Sequence, residues 1–218
     1  MEKKIRKRVI QILILWGLIA ILWGMYRYFF RFSEIVDELI FKPLIFLTPV
    51  LWFVKFKERK SWPSLGLTKT HLRKSILIGL CLGLFFCLEG ILTSWFKNKE
   101  LIFNPKQLSI GGIFGAGFLS LITGFSEELL SRGFLMNRFW KLFDSEFLAN
   151  FLSSVLFTFS HLPIAVLVLY YTERDLFSYS LLIFILSVAD GFIFGRTKNI
   201  SGSIISHALW NWSVILVR

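Results

Sequence analysis

Cysteine is scarce in this chain, with 2 among 218 residues. Cys81 and Cys87 lie six apart in one apolar run and point to different faces of a helix. That spacing argues against a disulfide or a metal pair between them and leaves two soft packing residues. No internal repeat, low-complexity tract or separate soluble domain interrupts the sequence. The first apolar run is longer than a signal-peptide core and no small-residue cleavage site follows it, so it is expected to remain a helix. Acidic residues are few, 14 against 25 Lys and Arg. No His-Glu-x-x-His element occurs, which removes the usual zinc-binding helix of metalloproteases.

What the chain does have is apolar length. Apolar residues make up 55% and aromatics 17%, and the hydrophobic stretches run to about 17–25 residues, enough to cross a hydrocarbon core. Seven spans are expected, near 9–30, 38–55, 74–96, 108–130 (from Leu108), 148–170, 176–195 and 200–217. The second is the weakest, because Lys42 and Pro43 fall near its start. The expected fold is a polytopic all-α transmembrane bundle of about seven spans. Residues 1–63 would form the first two spans and a cytoplasmic loop, and residues 64–218 the remaining membrane core.

The net charge of +11 follows the connections between spans. Lys3, Lys4, Arg6, Lys7 and Arg8 precede the first span, seven Lys and Arg lie between 55 and 74, Arg138 and Lys141 follow the fourth span, and Arg196 and Lys198 the sixth. The alternate connections are mixed, with Arg31, Glu34, Asp37 and Glu38 in one and Glu173, Arg174 and Asp175 in another. This is the positive-inside pattern with a cytoplasmic N-terminus. The basicity therefore reports orientation in a lipid bilayer, and a nucleic-acid partner is not expected. Most of the eight Trp lie near expected span ends, as interfacial anchors do.

Charges inside hydrocarbon are costly and usually mark a working site. Glu127, Glu128 and Arg132 close the fourth run. On a helix Glu128 and Arg132 stack four apart and can pair, while Glu127 turns about 100° away and is left free to act as a base. Gly124, three residues earlier, would leave room beside Glu127 for water or a substrate backbone. The plainer reading is a helix end whose charges sit among headgroups. Phe157 and His161 also lie one turn apart, with the Phe ring placed to orient the imidazole. Pro163 should kink or end that helix just after His161. A hydrogen-bonded core histidine is the competing reading there. His207 and Asn211 repeat the four-residue spacing and could donate together to one developing oxyanion, or simply clamp two helices. Ser201, Gly202, Ser203, Ser206, Gly191 and Gly195 permit close helix approach. Glu89 and Asp190, two further intramembrane acids, read slightly better as helix-bonding groups than as cavity lining.

Glu127-Glu128-x-x-x-Arg132, Phe157-x-x-x-His161 and His207-x-x-x-Asn211, in that order, resemble the CPBP family of CAAX proteases and bacteriocin-processing enzymes, formerly called Abi proteins. Leu65-Gly66-Leu67 and the run from Arg196 to Ser203 are similar to it too, so the resemblance covers roughly residues 64–217. It implies an intramembrane endopeptidase with a conical active-site cavity among the spans and residues 64–218 as its catalytic core, and the compact basic chain points to a bacterial plasma membrane. In that enzyme Glu127 with His161 activates water, His207 and Asn211 form an oxyanion hole, and Glu128 and Arg132 support the geometry. The substrate would be a peptide or lipidated peptide, such as a CAAX tail, a bacteriocin leader or a signal precursor. The metal-free version is preferred. A zinc version on Glu127, His161 and His207, and a catalytically idle scaffold, immunity or sensor protein, remain the alternatives. The cavity is expected to open toward the cytoplasmic half.

Overall fold

A computed structural model describes residues 2–30, 32–107 and 109–217. Arg31 and Leu108 therefore lie outside the described residues. Among these residues the chain is helical, with seven helices and no strand beyond an isolated bridge between Phe103 and Val217. They are α1 (Glu2–Phe29), α2 (Glu34–Lys57), α3 (Leu72–Asn98), α4 (Ile110–Phe143), α5 (Glu146–Leu167), α6 (Glu173–Thr197) and α7 (Ser201–Leu216). Side-chain caps start four of them: Ser33, Ser109, Ser145 and Thr172 each accept a backbone N–H from the first turn, satisfying donors the helix leaves open.

Among the described residues, six helices have the length and composition to cross a membrane. The seventh expected span, α7, has 16 residues, about 24 Å at 1.5 Å per residue, short of a roughly 30 Å core. By contrast α4 runs for 34 residues and does not stop near 130. Its extension carries Arg138, which is no free loop charge: it is buried and grips Glu58 with bonds of 2.6 and 2.9 Å to Oε2. Large apolar side chains such as Ile14, Leu84, Phe114 and Phe147 face outward, the surface a bilayer would cover.

Two ends of the bundle can be told apart. At one, Arg8 lies 3.8 Å from Glu58, Arg196 bonds Glu146 at 2.9 Å, and Asn199 donates to the carbonyls of Thr68 and Thr70 at 2.6 and 2.9 Å. The basic clusters thus share one end. At the other, Tyr26 bonds Asp37, Arg27 pairs with the same carboxylate, and the Asn104 amide donates to the Leu216 carbonyl.

Small residues set the closest packing. α3 and α7 make the most extensive contact in the fold. A Cβ on Gly79 would lie 2.6 Å from the Gly202 Cα, and one on Gly83 would lie 2.9 Å from the Ser206 Cα. Gly191 and Gly195 admit Asn150 and Glu146 of α5 against α6 in the same way. Pro163 does not end α5, which continues to Leu167. The proline ring rests against α1, where a Cβ on Gly24 would approach it to 2.9 Å, so neighbouring packing holds the helix across the missing N–H. Trp16 and Trp23 are not interfacial anchors. Trp16 donates to Ser160 at 2.9 Å and Trp23 is buried beside the cavity.

Candidate active site

Glu127 lies one residue before the end of the regular part of α4, at Glu128. From Leu129 to Met136 the helix is π-type and wholly buried, a local widening often found at functional sites. Ser131 donates back to the Glu127 carbonyl at 2.7 Å. Arg132 then reaches Glu128 Oε1 at 2.7 Å through Nη1, while Nη2 donates to both the hydroxyl (2.7 Å) and the carbonyl of Ser187 on α6. Its guanidinium also lies 5.2 Å from the centre of the Phe157 ring. The planar fork ties α4, α5 and α6 at one point, a geometry an ammonium does not reproduce.

Glu127 itself is 5% exposed, and it is not free. Lys42 of α2 donates to its Oε1 at 2.8 Å and to Glu38 Oε2 at 2.6 Å, above the Trp23 ring at 5.2 Å. Thr123 adds a bond to Glu38 at 2.6 Å. A buried carboxylate without a counter-charge is very unfavourable, and Lys42 supplies that charge. The sequence signal was available: Glu38 and Lys42 stand four apart inside an apolar run, the same pattern that drew attention to Glu128 and Arg132. The space beside Gly124 is not open either, because a Cβ there would meet the Ile204 carbonyl at 3.2 Å. That glycine lets α7 approach.

The other carboxylate oxygen, Oε2, faces two imidazoles. His161 Nε2 is 3.6 Å away and His207 Nε2 is 3.4 Å away. His161 Nδ1 lies 2.9 Å from the Phe157 carbonyl, an acceptor, so that nitrogen carries the proton. In a neutral ring Nε2 is then an acceptor directed at Glu127. The Phe157 ring packs on both histidines, with centroids 4.6 Å from His161 and 5.8 Å from His207. His207 is buried, and its Nδ1 is 2.8 Å from Glu128 Oε1 and 3.9 Å from Asp190 Oδ2. Glu128 therefore holds His207 as well as Arg132.

The two remaining acids separate. Glu89 accepts from Thr93 on its own helix at 2.8 Å. Asp190 is fully buried beside His207, and neither of its oxygens has a hydrogen-bond partner. Among the described residues, the set of acids and imidazoles close enough to share a metal is Glu128, Asp190 and His207, within 4.8 Å of one another. Glu127 and His161 of the zinc alternative are not in it. Arg132 already bonds Glu128 there, a cation in the place where a metal would need a free carboxylate.

A cavity of about 340 Å³ meets this group. Glu127, His161, His207 and Asn211 line it together, along with Lys42 and Tyr179. Asn211 lies one turn beyond His207 and is half-buried. The cavity runs toward the end of the bundle carrying Arg27, Glu34 and Leu169. It does not run toward the basic end, so the expected opening toward the half that holds the basic connections is corrected. The buried stretch from Leu129 to Met136 closes that direction. Lys42 also brings residues 1–63 into the site.

Residues 109–213 match the family described as Rce1-like, type II CAAX prenyl endopeptidase. No curated protein and no solved structure matches the chain.

Proposed function

From a chain whose residues 109–213 match the Rce1-like CAAX prenyl endopeptidase family, consistent with the wider CPBP family of membrane proteases, we propose a glutamate-dependent intramembrane peptidase. The observation that carries this is the convergence of Glu127 Oε2 with both imidazole Nε2 atoms inside one cavity. Two acceptors 3.6 Å apart repel unless a proton or a water donates between them. A water shared by Glu127 Oε2 and His161 Nε2 satisfies both and is polarised toward hydroxide.

In the reaction the water oxygen attacks the scissile carbonyl while its proton passes to Glu127 or His161. The carbonyl π electrons move to oxygen and form the tetrahedral oxyanion. His207 Nε2 and the Asn211 amide are the donors that would stabilise it. With Nδ1–H committed to Glu128, His207 donates at Nε2 only as the imidazolium, and Glu128 and Asp190 compensate that charge. The C–N bond then breaks and the amine nitrogen takes up the proton held by Glu127 or His161. Lys42 fixes Oε1 so that Oε2 alone meets the water. The substrate is a peptide or lipidated peptide at the membrane, and no metal takes part in these steps.

The test is Glu127→Gln, which keeps the shape and an acceptor but cannot take a proton. The variant purified in lipid nanodiscs is expected to lose cleavage of a peptide substrate identified by comparing peptides from cells with and without the active protein. Its thermal unfolding should show an intact fold. Undiminished cleavage by a folded Glu127→Gln protein would overturn the mechanism and favour the scaffold reading.

A further inference from the structure

The cavity and the basic clusters lie at opposite ends of the bundle, and this separation determines which side of the membrane serves the site. We propose that the cavity is entered from the extracytoplasmic face, so that the substrate is an exported or membrane-anchored polypeptide presenting its scissile bond at the outer leaflet. Hydrolysis of that bond rests on the peptidase reading above; the open face does not.

The geometry comes first. Along α1, α2, α5 and α7 the lining residues fall at the ends of the helices remote from the basic clusters: Trp23 and Arg27, Glu34 to Lys42, Ile164, and Val214. On α4 and α6, which start at the other end, the lining runs from Leu119 in the third turn and Tyr179 in the second to Glu127 and Leu186. Below those two residues lie the Glu128–Arg132–Ser187 contacts and the fully buried Asp190. A peptide backbone therefore reaches Glu127 from the Glu34 side and meets a closed floor.

The charges then assign that side. The termini of α1, α4, α5, α6 and α7 that gather Lys3 to Arg8, Arg138, Lys141, Arg196 and Lys198 sit at the floor end, fixed there by the Arg8–Glu58–Arg138 and Arg196–Glu146 contacts. The basic connection between α2 and α3 joins them. At the mouth end, Arg27 is neutralised by Asp37, and Glu34, Glu38, Glu173 and Asp175 offset the basic residues. Lys and Arg are retained on the cytoplasmic side of short connections, which leaves the mouth outside.

Cysteine labelling in intact cells tests this directly. In a Cys81→Ser/Cys87→Ser background, single cysteines are introduced at the exposed mouth-end positions Glu34 and Glu173 and at the exposed floor-end positions Lys69 and Lys74. A membrane-impermeant maleimide is expected to label Glu34→Cys and Glu173→Cys in intact cells, and Lys69→Cys and Lys74→Cys only after permeabilisation. Two positions at each end guard against a single variant that does not insert. Labelling of the floor positions in intact cells, with the mouth positions protected, overturns the proposal. In a second arm, the same reagent on Val214→Cys in the cavity should stop cleavage of a surface-displayed peptide. Labelling as expected with no cleavage by the unmodified protein sinks the peptidase reading and leaves the outer opening standing. Cleavage that persists after complete modification of Val214→Cys removes this cavity as the route and overturns the inference.

Discussion

The Lys42 ammonium lies 2.8 Å from Glu127 Oε1, joining a lysine in the second helix to the acid 85 residues later. Both side chains are buried, so each is the condition for the other to be charged in a low-dielectric site. The pair also decides which oxygen of Glu127 is available, because Oε1 is occupied and Oε2 faces the histidines.

Lys42→Met is therefore expected to damage both stability and rate. Removing one partner of a buried pair costs about 3–5 kcal/mol, and here it strands Glu127 and Glu38 together. Loss of the positioning bond should lower kcat roughly tenfold or more, since about 1.4 kcal/mol of barrier is a factor of ten. Adding Glu38→Gln should recover part of the stability and little of the rate. Thermal unfolding in detergent and cleavage of a reporter peptide separate the two effects. A Lys42→Met protein as stable and active as the parent would show that the ion pair has no role.

The contrast with the motif residues explains what the sequence disclosed. Glu128 with Arg132, Phe157 with His161 and His207 with Asn211 are local pairs one helical turn apart, so spacing alone relates them. The long apolar runs likewise announced helices. Lys42 could be noticed as an anomaly, but its partner depends on how α2 crosses α4, and no local period encodes that. The continuity of α5 through Pro163 depends on Gly24 of α1, 139 positions earlier in the chain. The length of α4 was hidden because Arg138 resembles a loop cation until Glu58 is brought to it. Direction of opening belongs to the same class, since it depends on which helix ends are packed shut.

Metal independence is a separate expectation. Glu128, Asp190 and His207 could supply three ligands, but Arg132 at 2.7 Å from Glu128 already provides the compensating cation. A strong chelator should leave peptide cleavage and the unfolding temperature unchanged, and elemental analysis of the purified protein should find no stoichiometric zinc. Zinc at one equivalent, whose removal abolishes cleavage and whose return restores it, would reassign this cluster as a metal centre.

The position of His207 depends on packing well away from the chemistry. α7 is placed by its contact with α3, where Gly79 meets the backbone of Gly202. An added methyl at Gly79 would clash with the Gly202 carbonyl and carbons; backbone cannot rotate away as a side-chain tip can, so the helices must separate. Overpacking of this kind costs about 1–3 kcal/mol. Gly79→Ala should lower the unfolding temperature and also reduce kcat, because His207 and Asn211 move with α7. Gly17→Ala, where no atom beyond the local turns of its own helix lies within 4 Å of the added Cβ, should leave activity unchanged and slightly favour the helix, since alanine exceeds glycine in helix propensity by about 1 kcal/mol. Equal behaviour of the two variants in unfolding and cleavage assays would mean that the α3–α7 contact does not position the site.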